Sequence, residues 1–129
     1  MNDNNKEDIR KNGRLIMEFM EIKPLKVFGR YSIALHNSYS SNENLEDTLN
    51  SIAEMSRYHK GWECLMPVVE KIESINNCSY NVIISQGNTA ITTHNGKTII
   101  CENEFIITKI ESVYKTVVEF IKWYNKQNK

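Results

Sequence analysis

Glycine and proline are scarce in this chain, 5 and 2 among 129 residues. Gly13, Gly29, Gly61, Gly87 and Gly96 are isolated from one another, so no glycine-rich loop is present to cradle a phosphate. Cysteine is scarce too. Cys64, Cys78 and Cys101 are an odd number without paired spacing, which argues against a disulfide framework and for a reducing compartment. Neither sign of charge dominates, Lys+Arg and Asp+Glu both standing at 16. A protein that coats DNA needs a basic excess to displace counterions, so no general nucleic-acid binding is expected. No run approaches the roughly 18 apolar residues that cross a bilayer. The opening Met1-Asn2-Asp3-Asn4-Asn5-Lys6-Glu7-Asp8 lacks the apolar core of a signal peptide. These absences predict a cytoplasmic protein with no membrane contact.

What is present is an ordinary globular composition, 40% hydrophobic and 25% charged, in a length that suits one core. Residues 1–13 are polar and read as a flexible N-terminus, leaving 14–126 as a single α+β domain. From Arg14 to Ile22, Leu15, Ile16, Phe19 and Met20 recur at helical spacing, and Pro24 is expected to end that helix. In residues 25–44, Val27, Phe28, Tyr31, Ile33 and Leu35 suit a strand, whereas Ser38 to Asn44 reads as loop. Leu45, Leu49, Ile52 and Met55 predict a helix reaching Tyr58. A further helix over 62–75 carries Trp62, Leu65, Met66, Val69, Ile72 and Ile75 as its stripe. Pro67 inside it predicts a kink or a start near Met66.

Tyr80–Ser85, Asn88–Thr93 and Lys97–Cys101 read as three strands of an antiparallel meander. Asn95-Gly96 and Gln86-Gly87 are taken as two-residue turns. That register aligns Val82, Ile91 and Ile100 on one face, with Asn81, Thr92 and Ile99, and Ile83, Ala90 and Cys101, on the other. The final helix, about Glu104 to Lys126, shows a stripe of Ile107, Ile110, Tyr114, Val117, Ile121 and Tyr124, widened by Val113, Phe120 and Trp123. The expected fold is a three-stranded meander packed against two to four helices, with a long C-terminal helix.

No catalytic constellation stands out. His59, Glu63 and Cys64 lie close, and His59 with Glu63 has i,i+4 spacing, but no further ligand completes a zinc set. There is no nucleophile elbow. Glu70 with Glu73, and Glu102 with Glu104, are explained by solvated ends of elements. The densest cluster is Arg57-Tyr58-His59-Lys60-Gly61-Trp62. Arg, Tyr and Trp are enriched at binding hot spots, and the same cations suit an anion. Its bland explanation is that Tyr58 and Trp62 are core and the cations solvated.

The string Trp62-Glu63-Cys64-Leu65-Met66-Pro67-Val68-Val69-Glu70-Lys71-Ile72-Glu73, preceded by Tyr58-His59, resembles a group of small proteins of Bacteroidetes and their phages. So does the late Val117-Val118-Glu119-Phe120-Ile121-Lys122-Trp123-Tyr124-Asn125. The resemblance covers roughly residues 58–125, with Cys64 standing where a second aromatic is expected. It implies a phage or mobile-element setting, hence host cytoplasm, and supplies no mechanism.

Two readings follow. In the first, the protein is not an enzyme, carries no cofactor or metal, and works by docking on another macromolecule, a host defence protein being the natural partner of a phage product. In the second, a homo-oligomer binds a small anionic ligand such as a nucleotide, with Arg57, His59 and Lys60 supplying charge and Tyr58 or Trp62 stacking. The broad apolar surface of the last helix also predicts a homodimer with Phe120 or Trp123 at the interface.

Overall fold

The computed structural model describes residues 6–35, 38–85, 88–102 and 108–127. The fold is α+β, with four helices and two antiparallel three-stranded sheets. It divides into two compact units, residues 1–57 and 58–129.

In the first unit, helix α1 (Lys6–Phe19) starts well before Arg14, so the described part of the polar N-terminus, residues 6–13, is helical and not frayed. Its buried positions are Gly13, Ile16 and Met17. Pro24 is not what stops it. Ile22 N–H bonds the Met17 carbonyl (3.0 Å) and Glu21 N–H the Glu18 carbonyl (3.1 Å), while Glu21 takes φ 56°. That is a Schellman ending, with Glu21 where glycine is usual.

Strands β1 (Leu25–Val27), β2 (Arg30–Leu35) and β3 (Ser38–Asn42) follow as a meander. The serine-rich stretch expected to be loop is therefore partly strand. Backbone pairing needs no apolar side chain, and Ser41 also meets Ser32 across the ladder, Oγ to Oγ, at 3.3 Å. Helix α2 (Leu45–Met55) is capped by Asn44, whose side chain accepts from Glu46 and Asp47 N–H. It ends at Met55, short of Tyr58, and buries Thr48, Ile52 and Ala53 while Leu45 and Met55 stay exposed.

α1 crosses α2 at Gly13, where a Cβ would stand 2.9 Å from the Ala53 carbonyl oxygen. Only hydrogen fits there. Arg10 pairs with Glu54 across the crossing, and Arg14 bonds Glu46 (2.9 Å) and Asn50 (2.8 Å). The Arg14 guanidinium, by hydrogen bond and by charge, holds the Glu46 carboxyl below its ordinary value.

In the second unit, helix α3 (Trp62–Ser74) starts at Trp62 and continues through Pro67. The proline costs Glu63 its i+4 donor, and Glu63 is exposed, so water can serve that carbonyl. The buried face is Cys64, Leu65, Val68, Val69 and Ile72, turned from the expected stripe so that Trp62 and Met66 fall outside it. Strands β4 (Tyr80–Ser85), β5 (Asn88–Thr93) and β6 (Thr98–Glu102) form the predicted meander.

The register aligns Val82, Ile91 and Ile100, as well as Ile83, Ala90 and Cys101. The turn at Asn95-Gly96 is longer than expected. Thr93 N–H bonds the Lys97 carbonyl, enclosing three residues, and of these Gly96 takes a positive φ of 92°. This slips the ladder by one, pairing Thr92 with Thr98 instead of Ile99. A bulge at Ile99 then restores the alignment at Ile91. Gln86-Gly87 lies outside the described residues.

Helix α4 (Lys109–Gln127) begins later than Glu104. Thr108 and Glu111 form a reciprocal capping box that sets its start; Ile107 and Glu104 lie outside the described residues. α3 packs on β4, and α4 on β5 and β6. Ile91 is fully buried, whereas Val82 and Ile100 are half-buried. The α4–β5 contact also contains a polar pair, Thr89 and Ser112 hydroxyls 2.8 Å apart.

Candidate functional site

The Arg57–Trp62 cluster does not present one surface. Tyr58 is only 2% exposed, and its hydroxyl is buried without a hydrogen-bond partner among the described residues. Burial, and secondarily the nearby Cys64, push its phenol well above the ordinary value. It offers no stacking face to a ligand. His59 packs against Tyr114, ring centroids 5.9 Å apart. Arg57 and Lys60 are exposed, and Trp62, 39% exposed, heads α3 with Met66 one turn on. Cys64 is buried and Glu63 exposed, so they do not converge with His59. Among the described residues no three His, Cys, Asp or Glu side chains gather as a metal site.

The proposed interface residues on α4 fare differently from each other. Phe120 is fully buried in its own unit, edge-on to Tyr80 (5.2 Å) and stacked on Tyr124 (5.8 Å). It cannot meet a partner. Trp123 is half-buried against Tyr80 and Phe120. Of the extra apolar width of α4, Val113 and Phe120 are buried inside the unit and Trp123 only in part.

Among the described residues the most exposed large hydrophobic side chain lies elsewhere, on the β1–β2 hairpin. Val27 pairs with Arg30, leaving Phe28-Gly29 as a two-residue turn. Phe28 has φ 51° and Gly29 φ 77°, the pattern of a type I′ turn. Glycine fits such a conformation; a bulky residue at positive φ is an outlier. Phe28 is also 99% exposed. Leu25 and Val27 are exposed on the same hairpin, and Tyr39 is exposed on β3 of the same sheet. The register places these three on the sheet face opposite Ile33, which is buried beneath α2.

Lys26 and Arg30 flank the tip on opposite faces of the hairpin, and Lys23 precedes β1. Lys23, Lys26 and Arg30 stand in a stretch with no carboxylate between Glu21 and Glu43. Lys26 lies over the Tyr31 ring at 5.0 Å, and Arg30 is steadied by the Ser41 carbonyl (3.2 Å) and Glu43 (3.6 Å). Sequence reasoning missed Phe28 because it took Val27 and Phe28 as one strand. The available signal was Gly29, the second turn position between two strand-forming runs.

Among the described residues no helix is long and apolar enough to cross a membrane. No protein-family model, no curated protein and no solved structure matches this chain.

Proposed function

We propose that this chain is a non-enzymatic docking protein that occupies a surface of another protein, and that the β1–β2 hairpin is the element it docks with. The observation that carries this reading is Phe28, almost wholly exposed on a backbone conformation that disfavours it. A strained residue persists where surrounding structure over-determines it, and such positions cluster at binding sites. A phenylalanine that packs against nothing contributes nothing to the unit's own stability, so its use lies outside the unit.

The chemistry of the partner follows from the tip: an apolar pocket that takes the Phe28 ring, bordered by carboxylates that face Lys23, Lys26 and Arg30. Leu25, Val27 and Tyr39 add apolar area along one side. In the phage or mobile-element setting that the resemblance implies, the partner is a host protein, and the encounter takes place in the cytoplasm, where free thiols such as Cys78 and Cys101 persist.

Affinity capture from host lysate tests this with three baits: wild type, Phe28→Asn and Trp62→Ala. The reading expects a protein held by wild type and Trp62→Ala and lost with Phe28→Asn. Capture of nothing by wild type, or of the same protein equally by Phe28→Asn, would overturn it. Loss with Trp62→Ala alone would move the docking surface to α3 and overturn the hairpin assignment.

A further inference from the structure

Residues 74–96 contain no Asp, Glu, Lys or Arg, in a chain where a quarter of all residues are charged. That stretch includes β4, an edge strand of its sheet. Natural edges are normally blunted by lysine, proline or inward charge, because their unpaired N–H and C=O groups template a further strand. The Tyr80-Asn81-Val82-Ile83-Ile84-Ser85 strand carries none of these.

Two contacts show which backbone groups face outward. The Ser79 carbonyl accepts from His94 N–H, which turns the odd-numbered residues of β4 towards β5. Val82 N–H instead donates to Glu73 Oε2 at 3.3 Å, which turns the even-numbered residues to the open edge. Tyr80, Val82 and Ile84 therefore present their peptide groups outward, and one carboxylate from the end of α3 caps one of them. The side chains are incompletely covered as well. Val82 and Ile84 are half-buried, and Ile83 on the opposite face is 51% exposed.

We propose that the β4 edge is a self-association surface: β4 of a second copy pairs with it antiparallel across a two-fold axis, joining two three-stranded sheets into one of six strands. Charge selects this occupant. The strand itself carries no charge, so its facing side chains meet those of its own copy without repulsion, and the one cost is that the two Glu73 carboxylates near the axis must swing out to solvent. With the axis at Val82, Tyr80 of one copy faces Ile84 of the other, and all outward peptide groups on both edges are paired. Ile83 comes to lie beside Asn81 of the second copy, which shields one side of its exposed surface. Glu73 competes for the Val82 N–H and is displaced when the strands join. This association is independent of the hairpin and involves a different unit.

Sedimentation equilibrium tests it with variants of opposite sign. The wild type is expected at twice its 15.1 kDa at micromolar concentration. Asn81→Lys/Ile83→Lys alters two exposed side chains and sets lysine against lysine at both outer-face pairs, so it should run as a monomer with unchanged circular dichroism. Glu73→Ala removes the competing cap from both copies and should tighten the dimer by roughly tenfold. A wild type that is monomeric throughout, a double-lysine variant that still dimerises, or a Glu73→Ala variant with unchanged or weaker association would each overturn the proposal.

Discussion

Replacing Phe28 by asparagine should make the first unit more stable while removing its docking element. The ring has almost no intramolecular contact to lose, since the side chain is 99% exposed. The backbone has something to gain. A left-handed conformation costs an ordinary residue about 1–2 kcal/mol, and asparagine tolerates it far better. Asn-Gly is also the preferred pair for a type I′ hairpin, so Phe28→Asn converts Phe28-Gly29 into the favoured turn without altering the Val27 to Arg30 pairing. The net gain should be about 1 kcal/mol. Native-state hydrogen exchange reads it locally, as protection of the β1–β2 amides raised about fivefold. Exchange from that hairpin that is unchanged or faster would refute the reasoning. It would mean that the ring is packed in solution or that the turn is not left-handed.

Other outcomes are equally specific. Ile91→Asp places an unpaired charge at the fully buried centre of the second sheet and should unfold that unit, seen as lost amide dispersion in its NMR spectrum; a variant with unaltered melting would show the register to be wrong. Gly13→Ala gains helix propensity of up to about 1 kcal/mol but drives a methyl against the Ala53 backbone, so a net loss of about 1–2 kcal/mol is expected in urea titration, and an increase would refute the close crossing. Tyr58→Phe deletes a buried hydroxyl with no hydrogen-bond partner among the described residues and should be neutral or stabilising by about 1 kcal/mol, whereas a marked loss would reveal a partner for that group.

Tyr58 also predicts a pH dependence. Its phenol is raised in the folded state above the ordinary 10.0, so above that pH the unfolded chain releases its proton first and stability falls as pH rises. The Tyr58→Phe variant should lack that part of the alkaline loss, and identical alkaline profiles would contradict the assignment.

Much of the second unit was legible in the sequence because its signals are periodic. Alternation in β4 to β6 implies the pairing of Val82, Ile91 and Ile100 even though the Asn95-Gly96 turn holds one residue more than two, since the bulge at Ile99 compensates for it. Buried faces were less legible. In α3 the apolar residues Trp62, Leu65, Met66 and Val69 span more than one face, and periodicity alone could not say that packing would choose Cys64, Leu65 and Val68. The first unit was harder. β3 is held by backbone pairs among serines, and α1 begins in a polar segment whose folding depends on Gly13 fitting against Ala53, a contact remote in sequence.

The candidate site followed the same logic. Composition favoured Arg57 to Trp62, but tertiary packing buried Tyr58 and set His59 on Tyr114, and Phe120 went into an aromatic cluster. Phe28 was hard to see as a site because aromatic residues are ordinary in strands: Gly29 hints at the turn, but the exposure of the ring shows only in the structure.

The most direct test of the docking account is the affinity of the captured partner, once purified, for wild type and for Phe28→Asn, measured by titration calorimetry at one salt concentration. A hot-spot aromatic at the centre of an interface is worth about 2 kcal/mol or more, so the account predicts a dissociation constant weakened by roughly thirtyfold or beyond in a variant that is at least as stable as wild type. Equal affinity for the two proteins would contradict it.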